Sequence, residues 1–158
     1  MAGLAGTVSF GQYSATYDGN SIGLTEEPKR LQFSPNMEPI TSDIYGKDTL
    51  LDGVYAGGNV FVLLVLQEWT AAIRVALWPW GTMGDMGIVG RRVTDLAKQL
   101  VLTAVTGTVA ATVGPTTLTF PLAFPAAGNQ IDIILGSQPR NIPLLFQCVP
   151  NSSGVWWT

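Results

Sequence analysis

Asn59-Val-Phe-Val-Leu-Leu-Val-Leu66, then Gln67-Glu68, then Trp69-Thr-Ala-Ala-Ile-Arg-Val-Ala-Leu-Trp-Pro-Trp80, is the stretch on which the fold turns. Val60 to Leu66 is wholly apolar and does not alternate, so it reads as a strand with both faces covered. Gln67-Glu68 breaks the run. Trp69, Ala72, Ile73, Ala76, Leu77 and Trp80 then recur at helical spacing and form one apolar stripe. Glu68 stands where a helix dipole favours an acid, and Pro79 and Gly81 end the segment. The chain therefore passes from a buried strand directly into an amphipathic helix.

Working upstream, Gly6–Phe10 and Ser21–Thr25 read as short strands around the Asp18-Gly19 turn, and Arg30–Ser34 alternates polar and apolar residues. Glu38–Asp43 suits an edge strand, where Pro39 is tolerated. From Asp43 to Gly53 no periodicity appears, yet Ile44, Tyr45, Leu50 and Leu51 are bulky. A loop of this kind is expected to protrude and to need something to lie against.

Downstream, the glycines of Gly81–Gly90 suggest a flexible loop, and Arg91–Lys98 fits either a short helix or extended chain. Leu100–Val105, Thr116–Phe120, Ile131–Leu135 and Ile142–Val149 read as strands separated by Gly114-Pro115, Gly128-Asn129 and Gly136-Ser137. The sum is a single domain over residues 1–158, mainly β with one α-helix, a sandwich or small barrel of about eight strands.

Composition narrows the function. Charged residues make up 12% of the chain, and the last sixty residues, Gln99–Thr158, carry only Asp132 and Arg140. A soluble domain ordinarily devotes about a quarter of its residues to charge. A surface so poor in charge is badly protected against association, which suggests that neighbours cover it. The net charge of −3 does not suit a phosphate-neutralising nucleic-acid binder. Residues 1–52 are net acidic and the remainder slightly basic. That asymmetry fits head-to-tail contact between copies and equally fits chance.

The absence of histidine removes the common triads and histidine metal sites, and one cysteine, Cys148, leaves no intramolecular disulfide or thiolate cluster. No catalytic, cofactor or metal site is expected. Gly84-Asp-Met-Gly-Ile-Val-Gly90 only echoes a phosphate loop, since it follows a helix and lacks the lysine. Asp18, Glu26, Glu27 and Asp43 show no spacing that recommends a glycosidase pair. No basic, apolar leader opens the sequence, and Val60–Leu66 is too short to span a bilayer, so neither a signal peptide nor a membrane partner is expected. Trp156 and Trp157 are the tryptophans hardest to place inside, and a terminal segment laid on a neighbour would explain them.

The order of parts resembles the tail tube proteins of tailed bacteriophages. Ser34-Pro-Asn-Met-Glu-Pro39, Asp43-Ile-Tyr-Gly46, Asp52-Gly53, Tyr55-Ala-Gly-Gly58, the strand Val60–Leu66 and Glu68-Trp-Thr70 carry the likeness in the first half. Leu100-Val-Leu-Thr103, Gly107-Thr108, Phe120-Pro-Leu-Ala123, Ile142-Pro-Leu-Leu-Phe146 and Trp157-Thr158 extend it through the second. The resemblance implies a tail-tube-type β fold and a structural, non-enzymatic virion protein assembled in the host cytoplasm. It further implies hexameric rings stacked into a tube, through which DNA passes without specific binding. Sheath, tail terminator and baseplate proteins are the implied further partners.

By the same resemblance, the loop Asp43–Gly53 reaches a neighbouring copy, with Ile44, Tyr45, Gly46, Leu50 and Leu51 as contacts beside Trp156 and Trp157. Glu26, Glu27, Glu38 and Asp43 are the acidic candidates for the channel wall. The glycine-rich segment Gly81–Gly90 departs from the family pattern. Other classes compatible with the composition are a capsid cement (decoration) protein, a neck ring, a carbohydrate-binding module, or an enzyme of unrecognised type.

Overall fold

The computed structural model describes residues 12–23, 25–68, 70–82, 84–105, 116–126, 128, 130–133, 136 and 141–158, without the side chains of 26–28 and 72. Among them the strands are β1 (Tyr13–Tyr17), β2 (Asn20–Ser21), β3 (Thr25–Ser42), β4 (Thr49–Leu66), β5 (Lys98–Ala104), β6 (Thr117–Pro125) and β7 (Ile142–Val149). Two helices, α1 (Ala71–Leu77) and the single turn α2 (Val93–Leu96), lie between β4 and β5. All seven strands join one antiparallel sheet in the order β2-β1-β5-β6-β7-β4-β3. Where a two-layer sandwich or closed barrel is expected from sequence, the described strands make a single open sheet.

That sheet is strongly curled. Tyr17 on β1 and Phe146 on β7 are separated by β5 and β6, roughly 14 Å in a flat sheet at about 4.8 Å per strand. Their ring centroids are 5.0 Å apart. The Tyr17 hydroxyl donates to the Ala123 carbonyl oxygen on β6 at 3.0 Å, which ties the two ends of the curve together. A bulge assists the bend: Leu100 pairs with Phe120 but Lys98 pairs with Ala123, so one extra β6 residue is accommodated around Pro121-Leu122.

The concave face holds the core. Val60, Val62, Leu64 and Leu66 on β4 face Ile142, Leu144, Phe146 and Cys148 on β7, with Leu100, Leu102 and Phe120 beyond. The strand Val60–Leu66 thus alternates after all. Its even-numbered residues are buried, whereas Phe61, Leu63 and Val65 on the convex face are only half-buried. The uninterrupted apolar run overstates the cover on that second face.

Helix α1 closes the concave side with Ile73, Ala76 and Leu77. It is shorter than the apolar stripe suggests. Thr70 caps it, accepting from the Ile73 amide at 3.3 Å, and the helix ends at Leu77 because Pro79 follows closely. Glu68 therefore precedes the helix and lies over Gly23 instead of in the first turn. Trp69, Gly6–Phe10, Ile134 and Leu135 lie outside the described residues, and Ile131–Ile133 is not strand. Arg91–Lys98 resolves into both of its alternatives, with α2 followed at Lys98 by β5.

Burial pushes the Cys148 thiol up to about 12. Burial does the same to the Tyr17 phenol, also to about 12, with Asp18 adding to the effect and the Lys98 backbone N–H opposing it. Both raised groups favour the fold only while the unfolded chain keeps its protons. The urea midpoint should hold constant up to roughly pH 8.5 and fall progressively from about pH 9 upward. Cys148→Ala should delete the earlier part of that decline, as urea titrations between pH 8 and 11 would read.

Candidate functional site: an apolar arm and a pinned loop

Strands β3 and β4 outrun the sheet. Residues Val60–Leu66 of β4 pair on both sides, with β7 and with β3. From Gly58 back to Thr49, β4 pairs with β3 alone, over Pro35–Ser42. At about 3.3 Å per residue this two-stranded arm reaches roughly 30 Å beyond the body. The loop expected over Asp43–Gly53 is therefore strand in its second half, Thr49–Gly53 belonging to β4, while Asp43–Asp48 turns. Asp43 organises that turn, its carboxylate oxygen accepting from the Asp48 amide at 3.3 Å, while the Gly46 amide donates to the Asp43 carbonyl.

Register sorts the arm's two faces. Phe33 pairs with Val60, Pro35 with Gly58, Met37 with Tyr55, Pro39 with Gly53 and Thr41 with Leu50. Residues opposite one another share a face, so the face carrying Val60 in the core continues outward through Phe33, Pro35, Met37, Tyr55 and Leu50. The opposite face carries Glu38 with Val54 and Ile40 with Asp52. Among the described residues this apolar face stays largely open: Phe33 is 67% exposed, Met37 53%, Tyr55 63% and Leu50 54%.

Two glycines shape this face. A Cβ at Gly53 would overlap the Met37 sulfur, and one at Gly58 would press to 2.9 Å against the Ser34 carbonyl oxygen. A third, Gly57, takes φ of +98° at the register shift between Gly58 and Tyr55 and forms a bulge at the root of the arm.

Trp156 and Trp157 stand at that root. The sequence places them on a neighbour, whereas here they are half-buried against the chain's own core. Asn151 turns the chain back, its side-chain oxygen accepting from the amides of Ser153 at 2.9 Å and Val155 at 3.1 Å. Thr158 and Thr119 then exchange two backbone hydrogen bonds, of 2.8 and 3.0 Å. Trp157 meets Phe33 at 5.9 Å and Phe120 at 6.3 Å between ring centroids. Together with Tyr55 and Gly58, the two tryptophans line a groove of about 210 Å³.

The remaining predicted contacts sit at the far end of the arm. Ile44 and Tyr45 are 79% and 77% exposed, with Gly46 exposed between them and the Asp48 turn, and Leu51 is 48% exposed. Glu38 and Asp43 are exposed on the arm, on its polar face and at its tip. Glu26 and Glu27 fall in β3, but their side chains lie outside the described residues.

A second exposed apolar surface lies after α1. The segment expected to be flexible is pinned by Asp85, whose carboxylate accepts from the amides of Thr82 at 3.3 Å and Gly87 at 2.8 Å. The Asp85 carbonyl accepts from the Trp78 indole at 3.1 Å, and the Ile88 amide donates to the Trp80 carbonyl at 3.1 Å. Gly87, at φ of +71°, lets the loop pass within a Cβ's reach of that same carbonyl. Pinned this way, Met86, Ile88 and Val89 stand 78%, 64% and 77% exposed, followed by exposed Arg91 and Arg92.

No grouping of three or more His, Cys, Asp or Glu side chains suited to a metal ion occurs among the described residues. Nor does any helix among them have the length and apolarity to cross a membrane. In comparisons with known proteins, the chain matches no family model and no curated protein.

Tyr45 and Trp157 should separate cleanly in a stability measurement. Tyr45→Ala removes an exposed ring and should change unfolding free energy by no more than about 0.5 kcal/mol. Trp157→Ala removes two ring contacts and part of the groove wall, and should cost about 2 kcal/mol or more. Urea unfolding of both variants checks the ordering.

Proposed function

We propose that this chain is a structural subunit of a phage tail tube, with a tail-tube-type β fold completed by neighbouring copies in stacked hexameric rings. The observation that carries the reading is the arm: a two-stranded extension whose apolar face continues the core and, among the described residues, is met only at its root, by Trp156 and Trp157. An isolated hairpin is marginal in water, and an apolar one invites pairing. A neighbour that covers it satisfies both problems at once.

The open sheet supports the same reading. Among the described residues its terminal strands β2 and β3 do not pair with one another, and no described strand pairs with the outer edge of β3, where a strand from another copy would add. Joining edges between copies would close a barrel that no single chain closes. In such a tube Glu38 and Asp43 are the acidic candidates for the wall along which DNA slides, with Glu26 and Glu27 on the part of β3 that lies in the body. The protein would act as conduit, not enzyme, in the virion tail after assembly in the host cytoplasm. Sheath, terminator and baseplate proteins are its further contacts.

Negative-stain microscopy of purified protein tests this directly. Stacked six-fold rings are the expected result. Discrete trimers or isolated shell-binding units would instead indicate a cement protein, and monomers at high concentration would overturn assembly altogether. Tyr45→Ala should fold normally and reduce stacking. Amide exchange over residues 33–58 should slow markedly on polymerisation, and unchanged exchange in verified tubes would remove the arm from the contact.

A further inference from the structure

We infer that the pinned loop Met86–Arg92 is the receptor for the arm of a second copy. The inference rests on the proposed function only in taking copies of this chain as one another's partners. Among the described residues two surfaces are both apolar and exposed, and they differ in charge. The arm, residues 35–58, carries Glu38, Asp43, Asp48 and Asp52 against Lys47 alone. The loop presents Met86, Ile88 and Val89 beside exposed Arg91 and Arg92, with Arg74 exposed on neighbouring α1, against the exposed acids Asp85 and Asp95; the Asp85 carboxylate already accepts from the loop's own amides.

An acidic, apolar projection and a basic, apolar platform are complementary in both respects. Opposite potentials fix orientation and disfavour arm-to-arm and loop-to-loop contact, where like charges would meet. The platform is also organised in advance. Asp85 holds the loop through both carboxylate oxygens and its carbonyl, so little backbone order remains to be gained on binding. Beside it, Trp78, Trp80, Met86, Ile88 and Val89 with Arg91 line a cavity of about 250 Å³. That space has the apolar walls and cationic rim suited to Tyr45 or Ile44 from a tip that also carries Asp48.

The two surfaces do not cover each other within one chain, since both stay exposed. They sit on different patches, so one copy's arm on the next copy's loop is a heterologous contact that propagates as rings and stacks require, unless two copies exchange arms in a closed pair.

Cross-linking between differently substituted molecules tests the pairing. Lys47→Cys and Thr94→Cys proteins, at exposed positions beside the two surfaces, mixed and oxidised, should give a mixed disulfide as the main product, because the native Cys148 is buried. Charge reversal supplies the second arm. Arg91→Glu/Arg92→Glu should lower the polymer fraction in sedimentation about tenfold or more. Asp48→Asn/Asp52→Lys in the same chain should restore it, asparagine being chosen because position 48 has φ of 56°.

Rings or tubes that form while Lys47→Cys and Thr94→Cys link no better than an Asn20→Cys control, or that ignore the charge reversal, would overturn the inference and leave the tube reading standing. Linked head-to-tail oligomers without rings would uphold the inference and remove the tube. Monomers that neither link nor sediment would remove both.

Discussion

Strands β1, β5, β6 and β7 must bend far enough to set Tyr17 against Phe146, and the rest of the molecule follows from that bend. A flat sheet of this order would expose its apolar face to water. Curling gathers Val62, Leu64, Leu144 and Leu100 around the two rings, so that α1 can cap what remains. The Tyr17 hydroxyl serves the same end, because its bond to Ala123 spans from β1 to β6 across the concavity. The cover is one-sided, however. It leaves Phe61, Leu63 and Val65 half-open on the convex face and leaves β3 as an edge.

The arm is where this arrangement stops being self-sufficient. Within the body, β4 has a partner on each side and a core beneath it. Beyond Gly58 it keeps only β3, while its apolar face continues unchanged. Among the described residues, hydrophobic burial is thus left unfinished along this hairpin, as it is at Met86, Ile88 and Val89 after α1. Charge is placed with the same asymmetry, acids along the arm and arginines beyond α1.

Much of the body was legible in the sequence because local pattern and burial agree there. Leu100–Val105, Thr116–Phe120 and Ile142–Val149 appear nearly in place as β5, β6 and β7, and the strand-to-helix passage after Leu66 is present. The helix came out shorter because periodicity reports which residues are apolar, whereas Thr70 and Pro79 decide where helical hydrogen bonding starts and stops. The arm was half legible. Ile44, Tyr45, Leu50 and Leu51 stand out as unplaced bulk, and Arg30–Ser34 and nearly all of Glu38–Asp43, both read as strand, fall within β3, but prolines at 35 and 39 obscure the alternation of Phe33, Pro35, Met37 and Pro39 that joins them into one face. The packing of Trp156 and Trp157 against the body was not legible for another reason. Their return to the sheet depends on the Asn151 turn and on pairing with Thr119, a partner far away along the chain. The loop platform was hidden by its glycines, since nothing in composition reveals that Asp85 would tie them down.

The bulge at Gly57 carries a consequence of a different kind. Core packing sets where β4 enters the body, but the dihedral angles of one glycine outside that core set the bearing on which the hairpin leaves it. Folding and aim are therefore encoded separately. A change at that single joint would redirect the hairpin while the packing that makes the body fold stays untouched.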